Sequence, residues 1–185
     1  MIPSRAETFR IIESSGMPDH IFRHSLMVTR VALVIGSWLR SSGLKIDLGL
    51  VDRASLLHDI CKMECIGTMK DHALMGKELL LLMGYPSVAE VVGQHVRLGS
   101  LNVDEAMVVN YADKRVMHDR VVSLTKRFVD LMARYGTDDD RRERILMHHE
   151  KCTQVQELLA MSCNHDLEGL EELNLIPFDK TLNGR

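Results

Sequence analysis

Apolar residues recur at helical spacing over residues 19–42, and this long stretch constrains the fold more than any other feature. Its apolar positions include Ile21, Met27, Val28, Val31, Ala32, Ile35 and Leu39. Spacing near 3.6 residues gathers these side chains on one face of an amphipathic helix, whereas a strand would alternate them between two faces. Gly43 follows directly and is a typical end for a helix. The stretch therefore predicts a long helix with one buried face.

The rest of the chain carries further helix patterns and few signs of strands. Aromatic residues make up only 4% of the chain, and no clear segment alternates apolar and polar residues between turn residues. Helices are predicted over 4–15, from Asp47 or Asp52 to about 60, over 71–83, 86–96, 104–117, 123–134, 138–161 and 166–173. The tail from Pro177 is predicted to fray. These patterns predict an all-α fold of six or more helices.

No feature of the sequence divides the chain into separate folding units. Its 185 residues are typical of one domain, and it contains no repeat, low-complexity segment or clear linker. We expect a single helical domain over 1–185, with its core in 18–135. The more charged residues 137–185 are expected to form a C-terminal helical extension. A subdomain or an oligomerisation arm is the alternative, so a homodimer is compatible with the sequence.

Charge and hydropathy exclude several classes of protein. The formal net charge of -3 provides no overall basic field that would attract nucleic acid. No apolar run approaches the roughly 20 residues that a membrane span needs, and the start MIPSRAETFR lacks the apolar core of a signal peptide. The four cysteines are therefore expected to be reduced thiols rather than disulfides. We expect a cytoplasmic protein that binds neither nucleic acid nor a membrane.

A His-Asp pair is the first sign of chemistry. His58 and Asp59 stand in LLHDICK, directly after an apolar helix pattern. An imidazole nitrogen and a carboxylate oxygen together suit a divalent transition metal. Adjacent residues of a helix point about 100° apart, so both side chains can face one point only near a helix end or a bend. Taken alone, such a pair is more often a helix cap or a surface pair.

Four further residues are candidates to join this pair. His24 lies on the apolar face of the first long helix and Asp113 lies within the apolar stretch VVNYADK, where a buried polar group needs a partner. His72 begins one predicted helix and His95 stands near the end of another. Each has a simpler alternative, namely a hydrogen-bonded core histidine, a helix cap or a favourable contact with the helix dipole. Their joint occurrence favours a metal site.

The ordered set His, His-Asp, His, His, Asp resembles the HD superfamily of metal-dependent phosphohydrolases. The matching segments are FRHSLMVTRVAL, LLHDICK, DHALMGKELLLLMGYP, VVGQHV and VVNYADKRV, within roughly residues 20–130. The chain is similar to small stand-alone HDIG-like bacterial proteins, including the HD-type symmetrical diadenosine tetraphosphate hydrolases. It also resembles HD domains fused to nucleotidyltransferases. The resemblance implies a helical HD-domain bundle with additional C-terminal helices.

The resemblance also implies a ligand set. The core metal ligands of the family match His24, His58, Asp59 and Asp113. The extra ligands of a second metal match His72 and His95. Asp59 matches the carboxylate that bridges the two metals in binuclear members. The resemblance thus implies two divalent transition metals per chain, and these ligand types suit Fe, Mn, Co, Ni or Zn.

Three cations are candidates for binding substrate phosphate. Lys62 matches the lysine that often lies near phosphate in the family, so Asp59 and Lys62 are the expected catalytic residues. Lys114 and Arg127 are further candidates to stabilise charge that develops on phosphate. Solvated surface charge is the simpler alternative for these two, and Arg23 beside the first histidine is a weaker candidate.

Two segments depart from the patterns of the family. Cys61 stands where the HDIGK motif has glycine, which indicates a tighter loop or an altered pocket. Gly84-Tyr85-Pro86 spells the tripeptide of the cyclic-di-GMP phosphodiesterase branch. The neighbouring His-His-Glu and Asp-Gly elements of that branch are missing around it, so we interpret the tripeptide as a helix break.

Two other groups of residues have simpler interpretations. Cys61, Cys65, Cys152, Cys163 and His165 could in principle bind zinc, but their spacing lacks a Cys-x-x-Cys pair. His148-His149-Glu150 stands in a charged helix and is predicted to be a solvated face.

These features predict a metal-dependent phosphohydrolase that acts through a metal-activated water. Its expected substrate is a nucleotide or another small phosphate compound, with a phosphoester or phosphoanhydride bond. Paired metals suit such a reaction because they lower the pKa of water and stabilise phosphoryl oxygens. A non-catalytic nucleotide-sensing HD module, which would bind without turnover, is one alternative. A mixed-valent di-iron oxygenase on the same six ligands, which would consume oxygen, is the other.

Overall fold

The structure, a computed structural model, describes residues 1–175. In this part of the chain it contains nine α-helices, one 3₁₀ helix and one two-stranded hairpin. The elements are α1 (Arg5–Ser14), α2 (Asp19–Ser41), α3 (Leu48–Leu57), α4 (Lys62–Cys65), α5 (His72–Leu82), α6 (Pro86–Gly93), α7 (Glu105–Lys114), β1 (Val116–Met117), β2 (Arg120–Val121), α8 (Leu124–Tyr135), α9 (Asp139–Cys163) and the 3₁₀ helix (Glu168–Leu175). The predicted all-α fold is confirmed, while the prediction for the tail from Pro177 lies outside the described residues.

The helices begin at the capping residues that the sequence indicates. The carboxylates of Asp47, Asp104 and Asp138 accept hydrogen bonds from backbone N–H groups in the first turns of α3, α7 and α9. Of the two caps considered for α3, the structure selects Asp47, because Asp52 is buried inside that helix. Local side-chain chemistry therefore fixes where these helices start.

Three helices end earlier than the sequence pattern predicts. The structure ends α3 at Leu57, α6 at Gly93 and α7 at Lys114, where the pattern extended to about 60, 96 and 117. After α7 the chain forms the hairpin of β1 and β2, in which Val116 pairs with Val121. Strands of two residues are too short to produce an alternating pattern, so the sequence did not indicate this hairpin. The predicted helix over 166–173 is the 3₁₀ helix.

The long helix α2 lies at the centre of the fold. Its buried face includes Val28, Val31, Ile35 and Leu39, and it packs against α3, α7 and α9. Buried residues of α9 belong to the same hydrophobic cluster as those of α2. The C-terminal helix thus packs on the core, while the division at residue 137 stays a prediction. Among the described helices, none combines the length and the hydrophobicity required to cross a bilayer.

A buried arginine joins the hairpin region to the C-terminal segment. Arg115 follows α7 directly and is fully buried. Its Nε donates to the carbonyl oxygen of Val122 at 2.7 Å, and its Nη1 donates to the Leu167 carbonyl oxygen at 2.6 Å and the Tyr111 hydroxyl at 2.7 Å. These bonds hold the end of α7 and the hairpin in fixed positions, and both elements contribute to the site described next.

Candidate metal centre

All six predicted ligands meet at one point of the fold. Three helices, one turn and one helix end contribute them: His24 from α2, His58 and Asp59 from the turn after α3, His72 from the first position of α5, His95 from just after α6, and Asp113 from α7. Five of the six are buried, and His72 is partly exposed. Residues far apart in sequence therefore form one compact polar cluster inside an apolar core.

The early end of α3 lets His58 and Asp59 face the same point. The chain leaves the helix through a turn in which the Ile60 N–H donates to the Leu57 carbonyl oxygen at 3.1 Å and the Lys62 N–H donates to the Asp59 carbonyl oxygen at 3.0 Å. A continuing α-helix would point the two adjacent side chains about 100° apart. The turn after α3 removes that restriction, so both side chains face the same point, as the sequence predicted for a helix end.

Three of the imidazoles are oriented by backbone carbonyl groups. The Nδ1 atoms of His24, His58 and His95 lie 2.8, 2.8 and 2.7 Å from the carbonyl oxygens of His118, Ser55 and Val92. An Nδ1–H that donates to a carbonyl fixes the tautomer whose Nε2 carries the lone pair. In each ring, that Nε2 faces the cluster.

The first half of the cluster lies around His58. Its Nε2 lies 3.3 Å from Oδ2 of Asp59 and 3.7 Å from Oδ1 of Asp113. The Nε2 of His24 lies 3.0 Å from the same Asp113 oxygen and 3.9 Å from Oδ2 of Asp59. The possible ligand atoms of His24, His58 and Asp113 all lie within 4.8 Å of one another, which is close enough for one ion.

The second half lies on the other oxygen of Asp59. Its Oδ1 lies 3.2 Å from Nε2 of His72 and 3.6 Å from Nε2 of His95. The two Nε2 atoms lie 3.0 Å apart. His58, Asp59 and His95 also form a group whose possible ligand atoms lie within 4.8 Å of one another. Asp59 therefore stands between two sets of imidazoles, with one carboxylate oxygen toward each.

The donor atoms fit divalent metal ions. The Nε2 of His58 is buried and has no hydrogen-bond partner among the described residues, which is costly for a polar atom. Four imidazoles surround two carboxylates, and nitrogen and oxygen donors of this kind suit transition metals. A bound metal cation would accept the lone pair of the His58 Nε2 and so give this buried atom a partner.

The electrostatics of the cluster keep its carboxylates ionised. Burial would raise the pKa of Asp59, but the charge of His58 and hydrogen bonds from the surrounding imidazoles hold that pKa well below its usual range. Burial would also raise the pKa of Asp113, but the charge of Lys114 and a hydrogen bond from His24 hold it well below its usual range. Conversely, burial would lower the pKa of His58, yet the two carboxylates raise it to about 9, so His58 would release the proton of its Nε2 when a metal binds. Both carboxylates are thus in the form that binds metal.

Two lysines contact these carboxylates. The ammonium group of Lys62 donates to Oδ2 of Asp59 at 2.6 Å and is partly exposed. The ammonium group of Lys114 donates to Oδ2 of Asp113 at 2.5 Å and to the carbonyl oxygen of His95 at 3.3 Å, and it is buried. Each lysine therefore orients one ligand carboxylate.

A cavity of about 470 Å³ opens beside the cluster, with His24 and Asp59 in its wall. Its wall also carries the cationic side chains of Arg23, Lys62, Arg127 and Arg134. Lys114 is not part of this wall, so the structure places it behind Asp113 rather than among the cations that face the cavity. A second cavity, of about 320 Å³ between α1 and α2, contains none of the six predicted ligands.

Sequence reasoning missed several groups of the site. His118 contributes through its backbone carbonyl, which no side-chain pattern reveals. The side chain of Asn110 donates to the carbonyl oxygens of Gln94 and His95 and so fixes the segment that carries His95. Arg134 could have been found, because it follows Arg127 by seven residues, which is two helical turns on the same face.

The structure corrects the prediction for His148-His149-Glu150. Only Glu150 is exposed, while both histidines are half-buried against Phe128, and the ring of His149 stacks on it at 4.6 Å. These imidazoles of α9 face inward because they pack against the apolar ring of Phe128 on α8. Within residues 1–175, the candidate metal groups contain histidine and aspartate and no cysteine.

Comparison with known proteins decides the family. The family model described as HD domain matches residues 21–118, which is more than half of the chain and includes all six residues of the cluster. The chain belongs to the HD domain family. The structure is similar to the crystal structure of a predicted HD superfamily hydrolase from an uncultured Thermotogales bacterium, with 24% identity, a TM-score of 0.49, and coverage of 86% of this chain and 94% of that chain. No curated protein matches the chain.

Membership of the HD domain family indicates the general role of the buried cluster, which is to bind metal. HD domains bind divalent metals, and the His and Asp side chains buried here form groups that could hold such ions. The family supports a metal-dependent hydrolase in general terms.

Proposed function

We propose that this HD domain protein is a phosphohydrolase with two metals, which cleaves a phosphoester or phosphoanhydride bond of a nucleotide or small phosphate compound. One observation carries the proposal: Asp59 presents its two carboxylate oxygens to two separate sets of imidazoles, beside a cavity lined with cations. A carboxylate in that position suits a bridge between two ions.

The ligands divide between the two ions according to their distances from Asp59. His24, His58 and Asp113 lie on the side of its Oδ2 and would hold the first ion. His72 and His95 lie on the side of its Oδ1 and would hold the second. Fe, Mn, Co, Ni and Zn all suit these donors.

The chain's own residues orient the ligands and balance charge. When bound, the metals supply an activated water and stabilise the phosphoryl oxygens. Backbone carbonyls hold three imidazoles in the tautomer that binds metal, and Lys114 holds Asp113. Lys62 and Arg127 line the cavity next to Asp59, where they would neutralise charge that develops on the phosphate.

The cavity supports a substrate larger than inorganic phosphate. Its volume of about 470 Å³ lies in the range typical of small-molecule sites. Ile66, Leu131 and Tyr135 add apolar and aromatic surface to its wall, which suits an organic group attached to the phosphate. These features favour a nucleotide, and the resemblance of the motifs makes dinucleoside polyphosphates the first compounds to screen.

The cations of the cavity wall favour an anionic substrate such as a phosphate compound. Arg23, Lys62, Arg127 and Arg134 give the wall the charge that such a substrate requires. They do not distinguish hydrolysis from oxidation of the substrate or from binding without turnover, so the experiment must do so.

The test measures phosphate release by protein that is stripped of metal and reloaded with Mn, Fe, Co, Ni or Zn separately. Dinucleoside polyphosphates, nucleotides and simple phosphate esters serve as substrates, and Asp59→Asn serves as the control because it keeps the shape of the side chain. We expect metal-dependent phosphate release by the natural protein only. Binding without turnover for every compound would support a sensor module, and oxygen consumption by the iron form would support an oxygenase.

A further inference from the structure

One carboxylate lies between the two arginines that α8 contributes to the cavity. Asp130 stands three residues after Arg127 and four residues before Arg134, so the three side chains share one side of the helix. Its Oδ2 lies 3.4 Å from Nη1 of Arg127 and is in close contact with Nη2 of Arg134. Both arginines line the cavity, whereas Asp130 does not and its side chain is only 25% exposed.

Among the described residues, Asp130 is the carboxylate that pairs with both arginines, and each arginine has donors to spare. A guanidinium carries five N–H donors in a planar fork, and Arg127 and Arg134 each use few of them on Asp130. The Nε of Arg127 is buried and has no hydrogen-bond partner among the described residues. The two guanidinium groups are therefore held close together while still able to bind another anion.

We propose that Asp130 is a positioning residue that acts as an internal counter-anion for the phosphate-binding arginines. It holds Arg127 and Arg134 against the cavity wall and, by its negative charge, weakens their attraction for phosphate, so that product leaves readily. Asp130 acts through the arginines and does not touch the substrate. The inference rests on the proposed function, because it takes phosphate as the anion that enters the cavity.

A purely structural ion pair on α8 predicts a different result. Pairs of this spacing on a helix surface contribute little to stability, and their loss would leave the arginines more mobile. Phosphate binding would then weaken or stay unchanged when the carboxylate is removed. A counter-anion predicts the opposite, because removal of a nearby negative charge strengthens the binding of another anion.

The experiment measures the Kd of inorganic phosphate by calorimetry on metal-loaded, full-length protein. Asp130→Asn should lower the Kd by about five-fold, as one unit charge at short range in a water-like dielectric would. The effect should shrink as salt is added. Asp130→Glu, which keeps the charge, should restore the Kd of the natural protein. Glu90→Gln removes a charge from the exposed pair with Lys77 and should leave the Kd unchanged.

A double-mutant cycle tests whether the arginines transmit the effect. Arg134→Gln alone should raise the Kd of phosphate, and Asp130→Asn should have a smaller effect in the Arg134→Gln background than in the natural protein. In steady-state assays, Asp130→Asn should lower the KM for a phosphate-bearing substrate without raising kcat.

The outcomes separate this inference from the function on which it rests. A Kd that rises or stays unchanged in Asp130→Asn, while the natural protein binds phosphate, overturns the counter-anion role and leaves the phosphohydrolase proposal intact. Failure of the natural protein and all variants to bind phosphate overturns both.

Discussion

The proposed function assigns one part of the site to metal, the six-residue cluster, and another to phosphate, the cations of the cavity wall. These two parts, the metal end and the phosphate end, are built in different ways. At the metal end, three imidazoles are held by backbone carbonyl oxygens at 2.7 to 2.8 Å, and the side chains of His58 and Asp59 are almost fully buried. At the phosphate end, the cations are held by carboxylates instead: Arg127 and Arg134 by Asp130, and Arg23 by Asp19 and Asp119. The side chains of Arg23 and Arg134 are 56% and 42% exposed, and that of Arg127 is 14% exposed, whereas the three imidazoles held by backbone carbonyls are at most 8% exposed.

This difference in partners, backbone carbonyls at one end and carboxylates at the other, suits a different role at each end. Backbone partners hold ligand atoms in place whether or not a ligand is bound, so the metal end is preorganised. Ion pairs between exposed side chains are weak and exchangeable, so under the proposed function the cations of the phosphate end would release one anion and accept another. The following substitutions test this contrast, from the largest expected effect to the smallest.

The largest effect is expected from Asp59→Ala. This change removes the one carboxylate that faces both sets of imidazoles. We expect the loss of both metals, by elemental analysis, and of phosphate release down to the level of metal-free protein. Circular dichroism should report a helical fold like that of the natural protein. Asp140→Ala, at an exposed position early in α9, is the matched control. Full activity in Asp59→Ala would disprove the bridging role.

His72→Ala should weaken the binding of the second metal and leave the first in place. His72 contacts only the Oδ1 side of the cluster, and its side chain is 26% exposed. Loss of a partner in the outer shell of a metal already costs about 10- to 100-fold in affinity, so loss of this ligand should weaken the second metal by at least that factor. Titration followed by elemental analysis should find one tightly bound metal. His20→Ala, which removes another imidazole from the cavity wall, should retain two. One ion per chain in both the natural protein and His72→Ala would indicate that the site holds a single ion, and two ions in both would show that His72 is not a ligand.

Arg127→Gln should act at the other end of the cavity and leave the metals in place. Loss of a charged donor to phosphate should raise KM by about ten-fold, because hydrogen bonds to charged groups contribute roughly 1.5–3 kcal/mol. Metal content should match that of the natural protein. Arg144→Gln, at an exposed position of α9, should change neither quantity. If Arg127→Gln lost metal, the two ends would not be independent.

The smallest effect is expected from His118→Gly. His118 has a positive φ of 57°, a backbone conformation that favours glycine, and it supports His24 only through its carbonyl oxygen. Glycine keeps that carbonyl, so we expect unchanged metal affinity and a change in unfolding free energy of no more than about 1 kcal/mol. His118→Ala keeps the strained φ and is the comparison. A large loss of metal affinity in His118→Gly would mean that the imidazole itself matters.

The sequence predicted the metal end far better than the phosphate end. The six cluster residues stand in an order that resembles the HD superfamily, and buried imidazoles and carboxylates in apolar helices need partners. The sequence and that resemblance together indicated that these side chains meet. The carbonyl of His118 has no sequence signature, because its role depends on a two-residue turn that tertiary packing creates. Lys114 was a candidate to contact phosphate, with solvated surface charge as the simpler alternative, and the structure instead buries it against Asp113, outside the cavity wall.

Helix starts were likewise more predictable than helix ends. Asp47, Asp104 and Asp138 cap their helices through short-range hydrogen bonds that the local sequence determines. The ends of α3, α6 and α7 depend on where distant segments pack, and four of the six cluster residues lie at or next to those ends.

Counting metals per chain in gently purified protein tests the central claim most directly. Elemental analysis before and after titration with Mn, Fe, Co, Ni and Zn gives the number of ions that the cluster holds. We predict two transition metals per chain in the natural protein and none in Asp59→Ala. One metal per chain would contradict the bridging role of Asp59, and no bound metal after titration would contradict the metal centre itself.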